Sequence, residues 1–204
     1  MIEKFLQFNC STLSWKKVNV SRGEAVILPT VDSGECPFFQ LPWVSLSFYG
    51  IPKQSKFYPA IKDRLFIQLP VQGELLDKFK ELDEIMNSEC MKTGLFGDNS
   101  GYQYTPIVKI GSRGEFVKIK LETDYETGDI ETCLVKNGVV ISGTETLPEF
   151  GQHIPNNSEV RTIIKLVRVW QLNKKFGVTF KLQKISVKYT EPEPVKLEAL
   201  DFID

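Results

Sequence analysis

In residues 43–49, Val44, Leu46 and Phe48 alternate with Trp43, Ser45, Ser47 and Tyr49, so an extended chain has one apolar face and one mixed face. Residues 25–29 and 64–69 are further strand candidates, set off by Gly, Pro, Asp and Ser. Residues 116–121 repeat the alternation, with Val117, Ile119 and Leu121 on one side and Phe116, Lys118 and Lys120 on the other. Turn residues at 124–129 lead to a strand at 130–135, and Asn137-Gly138 marks a tight turn. Residues 143–158 read as a long polar loop. Two long runs, 160–170 and 178–187, then form a hairpin-like pair.

One segment has a helical period. Leu75, Leu76, Phe79, Leu82, Ile85 and Met86 recur at three- and four-residue intervals among Glu, Asp and Lys, which predicts an amphipathic helix over 74–91 lying on the sheet. In the last run Val178, Phe180 and Leu182 share one phase, and Ile185 and Val187 the other. That slip predicts a β-bulge near Gln183-Lys184, which would turn Lys181 and Lys184 to the same face. The pattern predicts a mainly β protein: an OB-fold barrel with insertions, one amphipathic helix and an acidic C-terminal tail. Periodicity alone leaves a β-sandwich open.

The chain has 204 residues, enough to bury a core without covalent staples. Cys10, Cys36, Cys90 and Cys133 show no C-x-x-C spacing, so they read as reduced, mostly buried thiols of an intracellular protein. Residues 1–8 lack the basic and apolar regions of a secretory signal, and no run approaches the ~20 apolar residues of a membrane span. These features predict a protein that is neither secreted nor membrane-bound.

The net charge of −1 is unevenly distributed. From Thr190 onward five acids face one base, a local −4 that leaves +3 on the preceding 189 residues. Alternating Pro192 and Pro194 cannot extend a paired strand, so residues 1–189 read as the folded domain and 190–204 as a flexible acidic tail.

Catalytic constellations are sparse. His153 is the single histidine and stands beside Ile154-Pro155 with no nucleophile motif, which excludes a His-pair mechanism or His-ligated zinc within one chain. Gly94, Gly97 and Gly101 lack the Lys-Ser/Thr of a phosphate-binding loop. Glu122, Asp124, Glu126 and Asp129 raise a metal-dependent nucleic-acid enzyme as a third reading, but they lack the ordered spacing of a calcium loop and suit turns and strand ends. No catalytic residue, metal or cofactor is assigned.

The positive chemistry is cationic and aromatic. Lys118, Lys120, Arg161, Lys165, Arg168, Lys181 and Lys184 are the candidates for tracking phosphate, and Tyr102, Tyr104, Phe116, Trp170 and Phe176 for stacking on unpaired bases. The alternative is a β-sandwich virion or protein-interaction module whose basic strands are merely solvated and whose Trp170 or Phe176 is core.

At these residues the chain resembles the single-stranded-DNA-binding proteins of nucleocytoplasmic large DNA viruses, a group similar to the replication ssDNA-binding proteins of T-odd podovirus phages. The likeness is carried by Phe116-x-Lys118-Ile119-Lys120-Leu121-x-Thr123-Asp124-Tyr125-x-Thr127-Gly128, by Val169-Trp170, and by Phe176-Gly177-Val178-Thr179-Phe180-Lys181-Leu182-x-Lys184. Tyr102-x-Tyr104-x-Pro106 precedes them, and the match spans about half the chain. The resemblance implies an OB fold that coats and protects ssDNA without sequence preference during viral DNA replication, recombination and repair, in the host cytoplasm or nucleus. It also implies that the tail, through Glu198, Asp201, Phe202 and Asp204, docks replication proteins such as a polymerase or helicase-primase. DNA against RNA, and pairing into a homodimer, stay open.

Overall fold

The computed structural model describes residues 2–19, 25–31, 34–47, 49–97, 101–124, 126–141 and 146–188. Twelve strands and three α-helices occur among them: β1 Ile2–Lys4, β2 Ser14–Asn19, β3 Ala25–Thr30, β4 Phe38–Ser45, β5 Phe66–Pro70, α1 Gly73–Asn87, α2 Glu89–Phe96, β6 Gln103–Tyr104, β7 Val108–Gly111, β8 Gly114–Leu121, β9 Cys133–Lys136, β10 Val139–Ile141, α3 Leu147–Gln152, β11 Glu159–Leu172 and β12 Lys175–Lys188.

Five strands make the barrel. Their order is β4-β11-β12-β8-β5, antiparallel throughout except that β12 and β8 run parallel. No ladder joins β5 to β4, but Gly50 bridges the gap, its N–H donating to Gln68 O at 3.0 Å and its carbonyl accepting from Gln68 N–H at 2.8 Å. Numbered in chain order, the barrel strands follow 1-2-3-5-4 back to 1, the partly open five-stranded Greek-key barrel of the OB type. The strands belong to one connected sheet, not to the two facing sheets of a sandwich.

Inward residues alternate as the pattern predicted. Ile67 and Leu69 of β5, Val117, Ile119 and Leu121 of β8, and Phe180 and Leu182 of β12 are all buried. Helix α1 buries Leu75, Phe79, Leu82 and Met86 against this core. The Phe79 ring lies 4.6 Å from Phe5 and meets Phe180 edge-on at 6.0 Å. Such a ring contributes through both apolar area and ring geometry.

The predicted 74–91 helix is two helices. Ser88 leaves the helical region at φ −63°, ψ 148°, and its hydroxyl accepts from Met91 N–H, so the chain is capped and restarted there. The loop expected at 143–158 contains a third helix, α3. Glu149 accepts from both the N–H and the hydroxyl of Thr146, and Pro148 sits in the first turn, a start signal hidden in a polar stretch. The strand expected at 130–135 forms a ladder only from Cys133, with Ile130 making a single bridge to Thr123. Strand β4 starts at Phe38, five residues before the predicted Trp43, and ends before Ser47, whose φ of 47° breaks the extended path.

The predicted bulge is present. Ile163 pairs with Lys184 and Ile164 with Leu182, leaving Gln183 without a partner across the ladder, and a second shift leaves out Val167. At the tip Asn173 and Lys174 both take positive φ, 49° and 58°, the geometry of a type I′ turn. Only Cys10 of the four thiols is buried, which pushes its pKa up to about 11; Cys36 and Cys133 are half-buried and Cys90 is exposed.

Truncating Phe79 to Ala removes the ring that joins α1 to the barrel. It is expected to destabilise the fold by about 3–5 kcal/mol, measured by urea denaturation; a change under about 1 kcal/mol would show that α1 is not integral to the core.

Candidate nucleic-acid interface

The side of β5 and β8 turned away from the core carries Phe66, Gln68 and Pro70 opposite Lys120, Lys118 and Phe116, and Lys109 of β7 stands opposite Phe116. These residues share one face because direct cross-strand partners project to the same side of a sheet. The loop between β4 and β5 leans over it. Lys118 Nζ donates to the Tyr58 hydroxyl at 3.1 Å and lies 4.8 Å from the Phe66 ring centroid. Tyr58 and Phe66 meet edge-on at 5.5 Å, and the neighbouring Phe57 is 74% exposed.

Beside this face is a cavity of about 310 Å³ whose lining includes Phe66, Lys109, Lys118, Lys120, Arg168 and Trp170. Trp170 faces Gly177 across the β11–β12 ladder, and a Cβ at Gly177 would fall 2.8 Å from the indole. Only glycine lets the ring lie that close to the strand.

The far wall, Thr105 to Ile107, is pinned to α1 by one carboxylate. Asp83 accepts from the Tyr104 hydroxyl at 2.6 Å, from Ile107 N–H at 2.7 Å and from Val108 N–H at 3.1 Å. Burial, with Asp83 adding to it, pushes the Tyr104 phenol far above its ordinary pKa, so it stays a donor.

The cations press on one another. Partial burial holds Lys120 below its ordinary value, and Arg168 and Lys181 add to the effect. Burial lowers Lys109 likewise, Asp83 opposing and Lys118 reinforcing the shift.

Of the residues singled out in the sequence, Lys118, Lys120, Arg168 and Trp170 meet at this cavity. Lys181 is in register with Lys120, but its ammonium is paired with Glu122, which also accepts from Gln183 Nε2 at 2.7 Å. Arg161, Lys165 and Lys184 lie on the outer face of β11 and β12, away from the cavity. Three aromatic assignments are corrected. Phe176 is 0% exposed, packed against Phe96 and Tyr104. Tyr104 is held by Asp83, and Tyr102 already stacks on Phe96 at 4.1 Å and 14°. Phe116 is half-buried against Tyr49 at 5.4 Å, next to the cavity and not in it.

Tyr58, Phe66 and Lys109 complete the site and were not singled out. Phe66 alone lay in a predicted strand, and its outward phase was the available signal. Glu198, Asp201, Phe202 and Asp204 of the tail, and Tyr125, lie outside the described residues. Of the 122–129 carboxylates, Glu122 pairs with Lys181, and Asp124 accepts from Thr127 and Glu126 N–H at 2.7 Å each, which holds its pKa below the ordinary value. Among the described residues no group of three or more His, Cys, Asp or Glu side chains is placed to hold a metal, and no helix is long and apolar enough to cross a membrane.

No family model matches the chain. An uncharacterized protein, R505, of Acanthamoeba polyphaga mimivirus is 32% identical over 92 residues, covering 40% of this chain and 23% of that protein, so the chain spans under a quarter of its relative. Among solved structures, the single-stranded DNA-binding protein gp2.5 of bacteriophage T7 is similar, with a TM-score of 0.47, 13% identity, and coverage of 83% of this chain and 100% of the other. The single-stranded DNA-binding protein of bacteriophage Enc34 in complex with ssDNA is similar at a TM-score of 0.42 and 13% identity, covering 88% of this chain and 98% of that one. Likeness at this level transfers no residue roles.

Replacing Asp83 by Ala orphans three donors. The variant is expected to lose about 3 kcal/mol of stability on thermal or urea denaturation; near-wild-type stability would show that Asp83 does not hold the 104–108 wall.

Proposed function

We propose that the chain is a non-enzymatic protein that binds single-stranded DNA without sequence preference through the groove formed by β5, β8, the 105–107 segment and the start of the β11–β12 hairpin. The observation that carries the reading is the convergence of Lys109, Lys118, Lys120 and Arg168 with Trp170 and Phe66 on one open cavity, with Tyr58 held beside it by Lys118. A single strand offers both complements, phosphates for the cations and unstacked rings for the aromatics, whereas a duplex hides its base faces. The sequence resemblance over 116–187 supports placing this activity in the replication, recombination and repair of viral DNA.

Chemically the groove is an electrostatic track with stacking platforms. Each phosphate neutralised by a cation releases condensed counterions, and each base that stacks on an aromatic ring gains roughly 1–3 kcal/mol. We propose further that the acidic residues of 190–204 compete for the groove when DNA is absent and engage basic replication partners once displaced. The charge contrast between tail and body supports this.

Titration with an unstructured oligonucleotide at several salt concentrations, read by tryptophan fluorescence, tests the reading. Four phosphate contacts give a slope of log K against log salt of about −3. Changing Lys118 and Lys120 together to Glu should abolish most of the binding, and Trp170→Ala should weaken it by roughly 5- to 150-fold, the equivalent of 1–3 kcal/mol. Absence of binding by the unaltered protein at low salt would overturn the proposal.

The pH dependence has a definite sign. Lys120 begins below the ordinary lysine value of 10.5, and a bound phosphate favours its charged form. Binding should therefore take up protons, and affinity should fall as alkaline pH passes through the lowered pKa. Calorimetry in buffers of different ionisation enthalpy measures the uptake; zero uptake throughout the alkaline range would exclude a Lys120–phosphate contact.

A further inference from the structure

We propose that the outer face of β4, β11 and β12 is a second binding surface for single-stranded nucleic acid, onto which a strand occupying the groove continues. The inference rests on the groove reading for the identity of the ligand, and on separate residues for the surface.

Register makes the two surfaces continuous. Phe66, Lys120, Lys181, Lys165 and Phe38 are direct cross-strand partners in succession over β5, β8, β12, β11 and β4. Direct partners share a face, so this row runs out of the groove and around the outside of the barrel, an arc of four strand spacings, roughly 19 Å. It has an aromatic ring at each end and lysines between them. Lys165 Nζ lies 5.2 Å from the Phe38 centroid.

Beyond the row the same face stays cationic. The ladder sets Lys184 beside Ile163 and Arg161 beside Trp43, and Lys188 Nζ sits 4.2 Å over the Trp43 ring. Trp43 is 37% exposed, unusual for so large a ring on a sheet face. Among the described residues no carboxylate lies within ion-pair distance of Arg161, Lys165 or Lys184. Of the described acids near this side, Glu122 is already held by Lys181, and Glu159 stands at the far end of the ladder opposite Lys188.

Cations with no carboxylate in ion-pair distance among the described residues, interleaved with Phe38 and Trp43, repeat the groove's chemistry on a contiguous surface. An acidic protein would satisfy the charges and leave the rings unexplained. A strand leaving the groove satisfies both, with Lys181 exchanging Glu122 for phosphate at the crossing.

The test compares a short oligonucleotide of about 6 nucleotides with one of about 20, chosen around the range of site sizes for single OB folds. The full chain carrying Arg161→Glu and Lys184→Glu should bind the short strand as the unaltered protein does. It should bind the long strand at least tenfold more weakly, with a salt slope shallower by about 1.4 and a smaller occluded site. Retained short-strand affinity also shows that the variant folds. If long-strand affinity, slope and site size are unchanged, the second surface is refuted while the groove stands. Equal loss for both strands would also refute it, by making these residues part of one site. If the unaltered protein binds neither strand, the groove reading has failed and this inference falls with it.

Discussion

Strand β12 is the constraint on which the rest of this structure depends. It pairs antiparallel with β11 along its whole length and parallel with β6, β8 and β9 at successive points. A straight ladder of that length would keep every outward residue on one uninterrupted face. The shifts at Gln183 and Val167 break the ladder into three registers, and each serves a different neighbour. Near the tip Gly177 receives the Trp170 indole; in the middle Lys181 meets Lys120; beyond the bulge Ile185 and Val187 return to the core. Removing either shift would slip the register by one residue and exchange core and surface on one side of it.

The groove's lysines are crowded and partly buried, which works against their own charge, and the wall facing them is fixed by the buried hydrogen bonds of Asp83. Rigid placement of like charges raises the free energy of the site slightly, and a phosphate bound as proposed would relieve it. Glu122 marks the point at which this tension is already satisfied within the chain. Its pairing with Lys181 and Gln183 separates the groove from the outer face of β11 and β12, so the cations form two neighbourhoods joined at one residue.

Much of the architecture was legible as period. The alternation of Val117, Ile119 and Leu121 with Phe116, Lys118 and Lys120 stated both the strand and its polar face, and the phase slip after Leu182 stated the bulge. The break between α1 and α2 was not legible as period, because apolar spacing continues past Ser88 while the backbone turns at it. Helix α3 was masked by polar composition, its start lying in a hydrogen bond between Thr146 and Glu149. Tyr58 was missed because it lies in a Pro- and Lys-rich loop with no periodicity. Phe176 was misassigned because Phe176 and Gly177 are both buried, a local loss of alternation that leaves no mark on residue type.

Sequence by itself determined the strand content, the outward phase of Lys118 and Lys120, and the segregation of acid into residues 190–204. Each follows from local spacing or composition, which a chain carries unfolded. Only the tertiary structure decided which cations stand together, which rings stay exposed and which are core. Those outcomes depend on register between strands more than fifty residues apart, as when Lys181 settles beside Lys120 and against Glu122. Spacing within a strand says which way a side chain points, and pairing across the sheet says what it meets there.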